Sequence, residues 1–535
     1  MNEKQYYDDF YKKYGDSTYH SADRFLKIAG LCKGKVLDVA CGTGSLSDYY
    51  QGDYAGIDIS DEAISIAKKL RRDTACFIAC PISELDLHVK GKCDTVVMGE
   101  FLEHYPDDAL IFEMVCRVVK DDGLIICSVP NGSRVPDEDH VRTFTVATIR
   151  RDYSKYGKVR FYNWPGEAQR IIFTIELNHF VDDELTLVAI VKDEEKGVEK
   201  MISSCLEIVD KVVISVDSET LDKTAEIAGM YADELKTHKW DGDFSAARNS
   251  AQKNVQTKWF LFLDGHEYLE SYADIKSQLQ TSADGIMVTI RLETGMTFMF
   301  PRIYRSHIKF TGKVHNLNEC PVKTFCPAFT IVHDRINLQS EESTRRRLAQ
   351  RDEMLPRVMK ERLKTDKNNL RALFHLGNYN MMHREWKQAI PYFKRYLKYG
   401  ISNEEMYLTA LNLGMCQQSL GRNLRAFFAF NKADALLPGR WETALLHGSN
   451  YMAIQFYRKA LDWFVRALEK NKKAYIFNPF QRDGTMLWDY IATCFIRLQK
   501  YPEASQSLEQ AIKYTTNKER VDYLKTKLSF VSKLL

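Results

Sequence analysis

The feature that most constrains the fold is a repeated spacing of small and large residues near the C-terminus. One set of small positions comprises Gly377, Gly414, Gly448 and Ala492, which lie 37, 34 and 44 residues apart. Twelve positions later each copy has an alanine, and four beyond that a large apolar residue: Ala389, Ala426, Ala460 and Ala504, then Phe393, Phe430, Phe464 and Leu508. Small residues let two helices approach closely, and large ones fill the space between neighbouring pairs. The spacing therefore predicts stacked helical hairpins.

This array resembles tetratricopeptide repeats. Leu376-Gly377 and Leu413-Gly414 match the family's central pair, and Pro438 matches its terminal proline. The resemblance implies an all-α solenoid, which we assign to residues 341–535. Such arrays bind peptides, dimerise or act as rigid spacers, and the pattern does not choose among these roles.

Two series of short apolar runs precede the array, and each alternates with amphipathic stretches. The first consists of Lys35–Val39, Tyr54–Ile59, Cys93–Met98 and Gly123–Val129, and the second of Leu185–Val191, Lys211–Val216, Trp259–Leu263 and Gly285–Ile290. Strands that alternate with helices predict parallel sheets covered on both faces. With 535 residues, the chain is too long for one core. We predict a multidomain protein with an α/β domain at 1–178, a second at 179–340 and the helical domain.

Charge is divided unevenly along the chain. Residues 341–535 contain 34 lysines and arginines and 19 acidic residues, which gives a net charge of +15. The rest of the chain contains 41 lysines and arginines and 53 acidic residues, a net charge of −12. A basic array predicts an acidic partner, either a polyanion or the protein's own N-terminal part; an ordinary solvated helical surface is the alternative.

The twelve cysteines show no metal-ligand spacing, so we expect reduced thiols. The N-terminus lacks a signal peptide's apolar core, and no apolar run is long enough to span a membrane. We therefore expect a cytoplasmic protein without a membrane span. The sequence leaves its oligomeric state open.

The first α/β series carries a ligand-binding turn. Val36-Leu37-Asp38-Val39 leads into Ala40-Cys41-Gly42-Thr43-Gly44-Ser45, and the second strand ends in Gly56-Ile57-Asp58-Ile59. Small residues in such a turn let the backbone approach a ligand, and a carboxylate twenty residues on suits ribose hydroxyls. Two residues argue against a dinucleotide site. Ser45 stands where such a site would have a third glycine. The Asp38 carboxylate would repel a pyrophosphate but would suit an ammonium group.

These motifs resemble class I S-adenosylmethionine-dependent methyltransferases, and Cys93–His104 looks like their fourth strand and the following loop. The resemblance implies S-adenosylmethionine as cofactor. Its binding residues would be Asp38, Ala40, Gly42, Gly44, Asp58, Ile59 and Glu100. The family's adenine-binding carboxylate is missing from Ala79-Cys80-Pro81-Ile82-Ser83-Glu84. His20, His104 and His140 are candidates for substrate contact or for the general base, because an imidazole titrates near neutral pH.

The second series resembles family 2 glycosyltransferases with the GT-A fold, in particular those with a C-terminal tetratricopeptide array. The resemblance rests on the order of its motifs along the chain. Three predicted strands are each followed by acidic residues, and the Trp240–Ser250 motif lies between the second and the third of them. The resemblance implies a nucleotide-sugar donor, preferably a UDP-sugar. The residues that would bind this donor are Lys192, Glu194, Asp217, Asp243, Arg248 and Asp264.

A divalent cation is expected beside the donor diphosphate, whose departure it would stabilise. Asp264 ends an apolar strand, but the family's second aspartate is replaced in Asp264-Gly265-His266. The resemblance makes Asp264, His266 and His315 the metal ligands. Imidazole ligands favour Mn²⁺ over Mg²⁺.

The glycosyl-transfer base is less well defined. An inverting transfer needs a carboxylate to deprotonate the acceptor, yet the His-Glu of relatives is His315-Asn316 in this chain. Glu319 or Glu293 could replace it. Val332-His333-Asp334-Arg335 departs from another motif of these relatives.

We thus expect a bifunctional enzyme that transfers a sugar and a methyl group, with a glycan or protein acceptor. Two alternatives stay open: a glycosyltransferase that acts on modified nucleic acid, and a binding scaffold with one degenerate catalytic domain.

Overall fold

A computed structural model describes most of the chain. The described residues are 3–17, 21–106, 108–132, 140–162, 169–178, 184–253, 255–272, 275–293, 295, 297–312, 317–318, 320, 322–339, 341–469, 484–515 and 517–534. They divide into two compact units, one made of residues 1–293 with 301–341 and the other of 294–300 with 342–535. None of the described helices has the length and apolar character needed to cross a bilayer.

The first sheet is mixed, with strand order β3-β2-β1-β4-β5-β7-β6. Its strands are β1 (Val36–Val39), β2 (Tyr54–Asp58), β3 (Cys76–Ala79), β4 (Cys93–Gly99), β5 (Val119–Pro130), β6 (Gly157–Tyr162) and β7 (Arg170–Leu177). The strands from β3 to β5 are parallel, whereas β7 runs antiparallel to both β5 and β6. The accompanying helices are α1 (Glu3–Tyr14), α2 (Ala22–Leu31), α3 (Asp61–Leu70), α4 (Leu85–His88), α5 (Ala109–Val118) and α6 (Val146–Tyr153).

The second sheet has the order β10-β9-β8-β11-β14-β13-β17-β12. Its strands are β8 (Leu185–Val191), β9 (Lys211–Asp217), β10 (Glu234–His238), β11 (Trp259–Asp264), β12 (Glu267–Ser271), β13 (Gly285–Leu292), β14 (Thr297–Arg305) and β17 (Lys323–His333), with β15 (Phe310–Thr311) and β16 (Leu317–Asn318) as a separate pair. Its helices are α7 (Val198–Ser203), α8 (Thr224–Gly229), α9 (Phe244–Gln252), α10 (Ile275–Gln278) and α11 (Arg335–Leu338). The strands β10, β9, β8 and β11 are parallel, so their carboxyl ends meet at one edge.

Apart from residues 297–300 of β14, the two sheets belong to the same compact unit, and they are joined by ionic contacts. The Arg150 guanidinium, on α6, binds the Asp233 carboxylate. Lys158 Nζ, on β6, lies 2.7 Å from Asp210 Oδ1. The side chains of Arg150 and Lys158 are both largely buried, each with about a tenth of its surface exposed. These pairs fix the first sheet against the second because separating them would leave charges without partners.

The region after residue 341 is helical throughout its described residues. Its helices are α12 (Glu341–Thr365), α13 (Leu370–Met382), α14 (Trp386–Tyr399), α15 (Asn403–Ser419), α16 (Asn423–Leu436), α17 (Trp441–Ala453), α18 (Tyr457–Glu469), α19 (Gly484–Arg497), α20 (Tyr501–Lys513) and α21 (Lys518–Ser532). A Cβ added to Gly414 would lie 2.2 Å from a ring carbon of Phe430, and one added to Gly377 would lie 2.4 Å from Phe393. The helices of each hairpin therefore approach as the repeat spacing predicts, and the multidomain fold class is confirmed.

Four helical hairpins have the same left-handed backbone conformation at the end of their first helix. Arg384, Gly421, Gln455 and Gln499 occupy equivalent positions, with φ values of 60°, 70°, 63° and 60°. The next residue donates its N–H to the carbonyl five residues back, as in Glu385 to Asn380 (2.7 Å). This is the helix-ending Schellman arrangement, which needs a left-handed residue.

Candidate active sites

The turn after β1 is shaped by left-handed backbone at alternate positions. Ala40, Gly42 and Gly44 have φ values of 55°, 54° and 74°. A Cβ on Gly42 would lie 2.6 Å from the Tyr11 hydroxyl oxygen, and one on Gly44 would lie 2.4 Å from the Phe77 ring. The left-handed backbone therefore favours glycine at both positions, and a larger residue would also displace the Tyr11 or Phe77 side chain.

Two buried carboxyls lie beside this turn. Asp38 is 6% exposed and accepts a hydrogen bond from the Tyr54 hydroxyl (2.6 Å), while Asp58 is 7% exposed and accepts from the backbone N–H groups of Gly42 (2.8 Å) and Ser60 (2.9 Å). Burial raises the pKa of Asp38 to about 7 and the pKa of Asp58 to about 6. Both groups can thus respond to a bound cation or hydroxyl near neutral pH.

A cavity of about 400 Å³ opens beside these carboxyls. That volume falls within the range of small-molecule sites. Most of the predicted cofactor residues and two candidate bases line it, namely Asp38, Ala40, Gly42, Asp58, Ile59, Glu100, His104 and His140. Gly44 is not among the lining residues and instead lies against Phe77. His20 lies outside the described residues.

The region where an adenine-binding carboxylate is missing also faces this cavity. Cys80, Pro81, Ile82 and Ser83 contribute to the lining. The Cys80 N–H donates to the Asp58 carbonyl (2.9 Å), which fixes this segment beside the turn. This segment thus lines the cavity without the acidic side chain that the family has there.

Glu100 is held by two arginines. Its Oε1 accepts from Ser128 Oγ (2.9 Å) and lies 3.2 Å from Arg24 Nη1, and its Oε2 accepts from Arg170 Nε (2.7 Å). The carboxylate is therefore neutralised within the cavity wall. Its role as a cofactor-binding residue stays a prediction.

Three further ligating side chains meet at this cavity: Glu103, His104 and His140, whose ligand atoms lie within 4.8 Å of one another. Glu103 is 1% exposed. Burial, and then the nearby Glu100 charge, raise the pKa of Glu103 to about 8. The sequence interpretation did not select Glu103, although its position directly before His104 was a usable signal.

Asp264 ends β11 at the carboxyl edge of the second sheet. Its Oδ1 lies 3.1 Å from Arg248 Nη2, and its backbone N–H donates to Glu267 Oε2 (3.0 Å). Burial opposes ionisation of Asp264, but the guanidinium groups of Arg248 and Arg302 outweigh it and hold the pKa of this carboxyl well below its usual range. Arg302 also binds the fully buried Glu267. Asp264 is therefore a carboxylate surrounded by positive charge.

His266 is buried and engaged at both ring nitrogens. Its Nε2 accepts from Arg335 Nε (3.0 Å), and its Nδ1 lies 3.4 Å from Glu194 Oε1 and 3.3 Å from Gln339 Nε2. A metal would need the lone pair that Arg335 occupies. As arranged, His266 does not fit a metal ion, and among the described residues it forms no three-ligand group with Asp264. His315 lies outside the described residues, so manganese at this site stays a prediction.

The other predicted donor-binding residues follow the same edge. Lys192 Nζ lies 3.3 Å from the Oδ1 atom of the buried Asp217. Glu194 Oε1 accepts from Gln339 Nε2 (2.6 Å). Asp243 caps α9 by accepting from the N–H groups of Ser245 (2.9 Å) and Ala246 (3.1 Å), which gives it a structural role besides any nucleoside contact.

The structure selects no base for glycosyl transfer. Glu293 is exposed in the turn after β13, and Glu319 lies outside the described residues. The sequence interpretation also missed Arg24, Arg170, Arg302 and Gln339, which no local motif marks because each meets its partner from a distant part of the chain.

Comparison with known proteins supports both α/β assignments. A family model described as "Methyltransferase domain" matches residues 33–252, and one described as "Glycosyl transferase family 2" matches residues 186–338. The two matches overlap at the start of the second sheet.

Three relatives cover different parts of the chain. A ubiquinone biosynthesis O-methyltransferase of Bordetella avium is 31% identical over 134 residues, which are 24% of this chain and 53% of the relative. The SPbeta prophage-derived glycosyltransferase SunS of Bacillus subtilis is 25% identical over 259 residues, 45% of this chain and 59% of the relative. A TPR repeat-containing protein of Synechococcus elongatus is 32% identical over 143 residues, 25% of this chain and 35% of the relative.

The chain thus spans little more than half the length of the first relatives it matches. The motif after β1 lies within the residues matched by the methyltransferase model, and the motif after β11 lies within those matched by the glycosyltransferase model. The repeat spacing explains the helical hairpins after residue 341. The chain is a fusion of a methyltransferase domain and a family 2 glycosyltransferase domain, followed by a tetratricopeptide-like helical region.

Proposed function

We propose that this chain is a bifunctional enzyme. It transfers a sugar from a nucleotide-sugar, preferably a UDP-sugar, and a methyl group from S-adenosylmethionine, with a glycan or a protein as acceptor. The domains are 1–178 for methyl transfer, 179–340 for sugar transfer and 341–535 for partner binding. The observation that carries the proposal is a buried acidic cavity at the end of β1 in one sheet, together with a carboxylate–arginine cluster at the end of β11 in the other.

In the first site, Asp38 faces the ammonium of the cofactor's methionine part and Asp58 accepts from the ribose hydroxyls. The acceptor oxygen attacks the methyl carbon, the carbon–sulfur bond breaks, and its electron pair stays on sulfur to give a neutral thioether. The acceptor proton passes to His104 or His140, which line the cavity. An imidazole is suited to this transfer because its unprotonated ring nitrogen can accept the proton.

In the second site, arginine side chains supply the positive charge that a departing diphosphate needs. Arg248 and Arg302 already lower the pKa of Asp264, and Arg335 stands at His266. An acceptor hydroxyl attacks the anomeric carbon with inversion, the bond to the diphosphate breaks, and the proton passes to a base for which Glu293 and Glu319 are the candidates. No step is assigned to a metal because His266 does not fit one as arranged.

A second candidate function is a scaffold whose sugar-transfer site binds its donor without turnover. The hydrogen bond from Arg335 to His266 favours it, since it engages the nitrogen that a metal would need. Action on a modified nucleic acid is supported only by the net charge of +15 in the helical region. It requires affinity to fall steeply as salt rises.

Two matched variants of the full chain test the main proposal. Asp264→Ala should abolish turnover of a labelled UDP-sugar but leave S-adenosylmethionine binding unchanged. Asp58→Ala should weaken cofactor binding roughly 10- to 100-fold, because it removes hydrogen bonds to the ribose, while sugar turnover continues. Loss of both activities in both variants would indicate unfolding, which circular dichroism would detect. UDP-sugar binding without turnover in the wild type would favour the scaffold.

Mass spectrometry then tests whether the two reactions share a product. Candidate glycan and protein acceptors are incubated with both donors, and hexose-sized and methyl-sized increments on one molecule are the expected result. We also place the protein in the cytoplasm, in keeping with its twelve free cysteines, and assign an acidic partner to its basic helical region.

A further inference from the structure

The group Glu103, His104 and His140 has the geometry of a metal-binding site. One ligand atom from each residue lies within 4.8 Å of the other two, and among the described residues no other such group is found. The His104 and His140 rings have centroids 5.3 Å apart and planes inclined by 69°, so they converge without stacking. The three side chains line the cavity that holds the predicted cofactor residues.

The backbone fixes these residues relative to one another. Glu103 and His104 belong to a short 3₁₀ turn at Leu102–His104, which begins three residues after the end of β4. The Glu103 carbonyl accepts the N–H groups of Val141 (2.9 Å) and Arg142 (3.2 Å). These bonds hold the segment that begins with His140 against the turn, so the group is built by the fold and is not a chance surface cluster.

A second observation points to a missing ligand. Glu103 is 1% exposed, and its Oε2 is a buried oxygen without a hydrogen-bond partner among the residues that the structure describes. A buried carboxylate oxygen left unpaired is costly, so such atoms normally bind a donor or an ion. The neighbouring Glu100 does not compete for the same ligand because Ser128, Arg24 and Arg170 engage both of its oxygens.

We propose that Glu103, His104 and His140 bind a divalent transition-metal ion, Zn²⁺ or Mn²⁺, in the wall of the methyl-transfer cavity. Two imidazoles and one carboxylate form a donor set that such ions accept, and three protein ligands leave a coordination position open. Mg²⁺ prefers oxygen ligands and is disfavoured by this set.

The open position gives the ion a role in the proposed methyl transfer, and this part of the inference rests on the proposed function. An acceptor hydroxyl bound to the ion loses its proton to solvent more easily, because the metal stabilises the resulting oxyanion. That oxygen forms the new bond to the methyl carbon as the carbon–sulfur bond breaks. On this account His104 and His140 are ligands and not the base.

The test uses the full chain with Asp264→Ala as background, which removes a ligand of the metal site predicted in the other domain. The protein is stripped with a chelator and titrated with Zn²⁺, Mn²⁺ or Mg²⁺ by calorimetry. One equivalent of Zn²⁺ or Mn²⁺ should bind. Adding Glu103→Gln or His140→Ala should weaken that binding roughly 100-fold or more, since changes around a metal's ligands alone cost 10- to 100-fold.

His88→Ala is the matched control, because His88 lies 3.7 Å from Glu84 on the surface and has no third ligand in the described part of the chain. This variant should leave metal binding unchanged. S-adenosylmethionine binding in each variant verifies that the cavity is folded. Absence of Zn²⁺ and Mn²⁺ binding, binding of Mg²⁺ alone, or equal binding in the Glu103 and His140 variants would each overturn the inference. If the ion binds but the wild type takes up no S-adenosylmethionine, the proposed function fails and the metal site stands.

Discussion

The raised pKa of Asp38 predicts a strong pH dependence of cofactor binding. S-adenosylmethionine carries an ammonium group that favours the ionised carboxylate, so its affinity should rise with pH. With a pKa of about 7, the ionised fraction of Asp38 grows about 16-fold between pH 5.5 and 7, equivalent to ~1.6 kcal/mol. An ordinary aspartate, with a pKa near 4, would be ionised throughout this range and give almost no change.

Asp58 adds a smaller contribution of the same sign. Its pKa of about 6 gives an increase of about fourfold in the ionised fraction over the same interval. The affinity is compared only up to pH 7, because the α-amino group of the ligand begins to lose its proton near pH 8 and would then no longer carry the charge that Asp38 binds. Isothermal titration calorimetry at several pH values would measure the combined dependence.

A ligand without the amino-acid part separates the two carboxyls. Methylthioadenosine keeps the ribose but lacks the ammonium, so its affinity should change no more than about fourfold, and Asp38→Asn should reduce the dependence for S-adenosylmethionine to the same value. S-adenosylhomocysteine keeps the ammonium and should behave like the full cofactor. If S-adenosylmethionine and methylthioadenosine showed the same pH dependence with the wild-type protein, the role assigned to Asp38 would be wrong.

Three other predictions concern single contacts. Arg150→Ala should lower the free energy of unfolding by about 3 kcal/mol, since it leaves the Asp233 carboxylate without its partner; urea unfolding would measure this. Gly414→Ala should cost about 1–3 kcal/mol because its Cβ would lie 2.2 Å from Phe430, which thermal unfolding would detect. Tyr54→Phe should move the midpoint of the pH dependence of S-adenosylmethionine affinity upward, because it removes a hydrogen bond that lowers the pKa of the neighbouring buried carboxyl.

Each of these variants has a close control. Arg151→Ala removes a surface arginine paired with the adjacent Asp152 and should change stability by less than about 1 kcal/mol. Gly30→Ala adds a methyl group in open space on α2, where alanine should be neutral or stabilising. Tyr50→Phe removes a hydroxyl bonded to the Gly34 carbonyl and should leave the pH midpoint in place. Effects of equal size in variant and control would argue against the contacts invoked.

The local parts of the sites could be predicted from the sequence. Asp38 and Asp58 follow apolar runs, and the register of parallel strands brings their ends together. The repeat spacing likewise determines which small residue faces which ring, because both lie in one hairpin.

Contacts between distant segments could not be predicted in the same way. Arg24 and Arg170 meet at Glu100 from opposite ends of the first domain, and Arg335 reaches His266 from beyond the last strand. No periodicity or short motif records such pairs, because they arise only when the sheets and helices have packed. This is why Asp264 and His266 look like a metal motif in the sequence, yet in the structure both are engaged by arginines.

The left-handed residue at the turn of each hairpin offers a simple way to raise the stability of the helical array. Gly421 adopts this backbone without strain, whereas Arg384, Gln455 and Gln499 hold side chains in a conformation that costs about 1 kcal/mol each. Replacing the three with glycine would relax each bend separately, and because the bends lie in different hairpins, the gains should add. The helical region with these three glycines should therefore unfold at a higher temperature than the natural sequence.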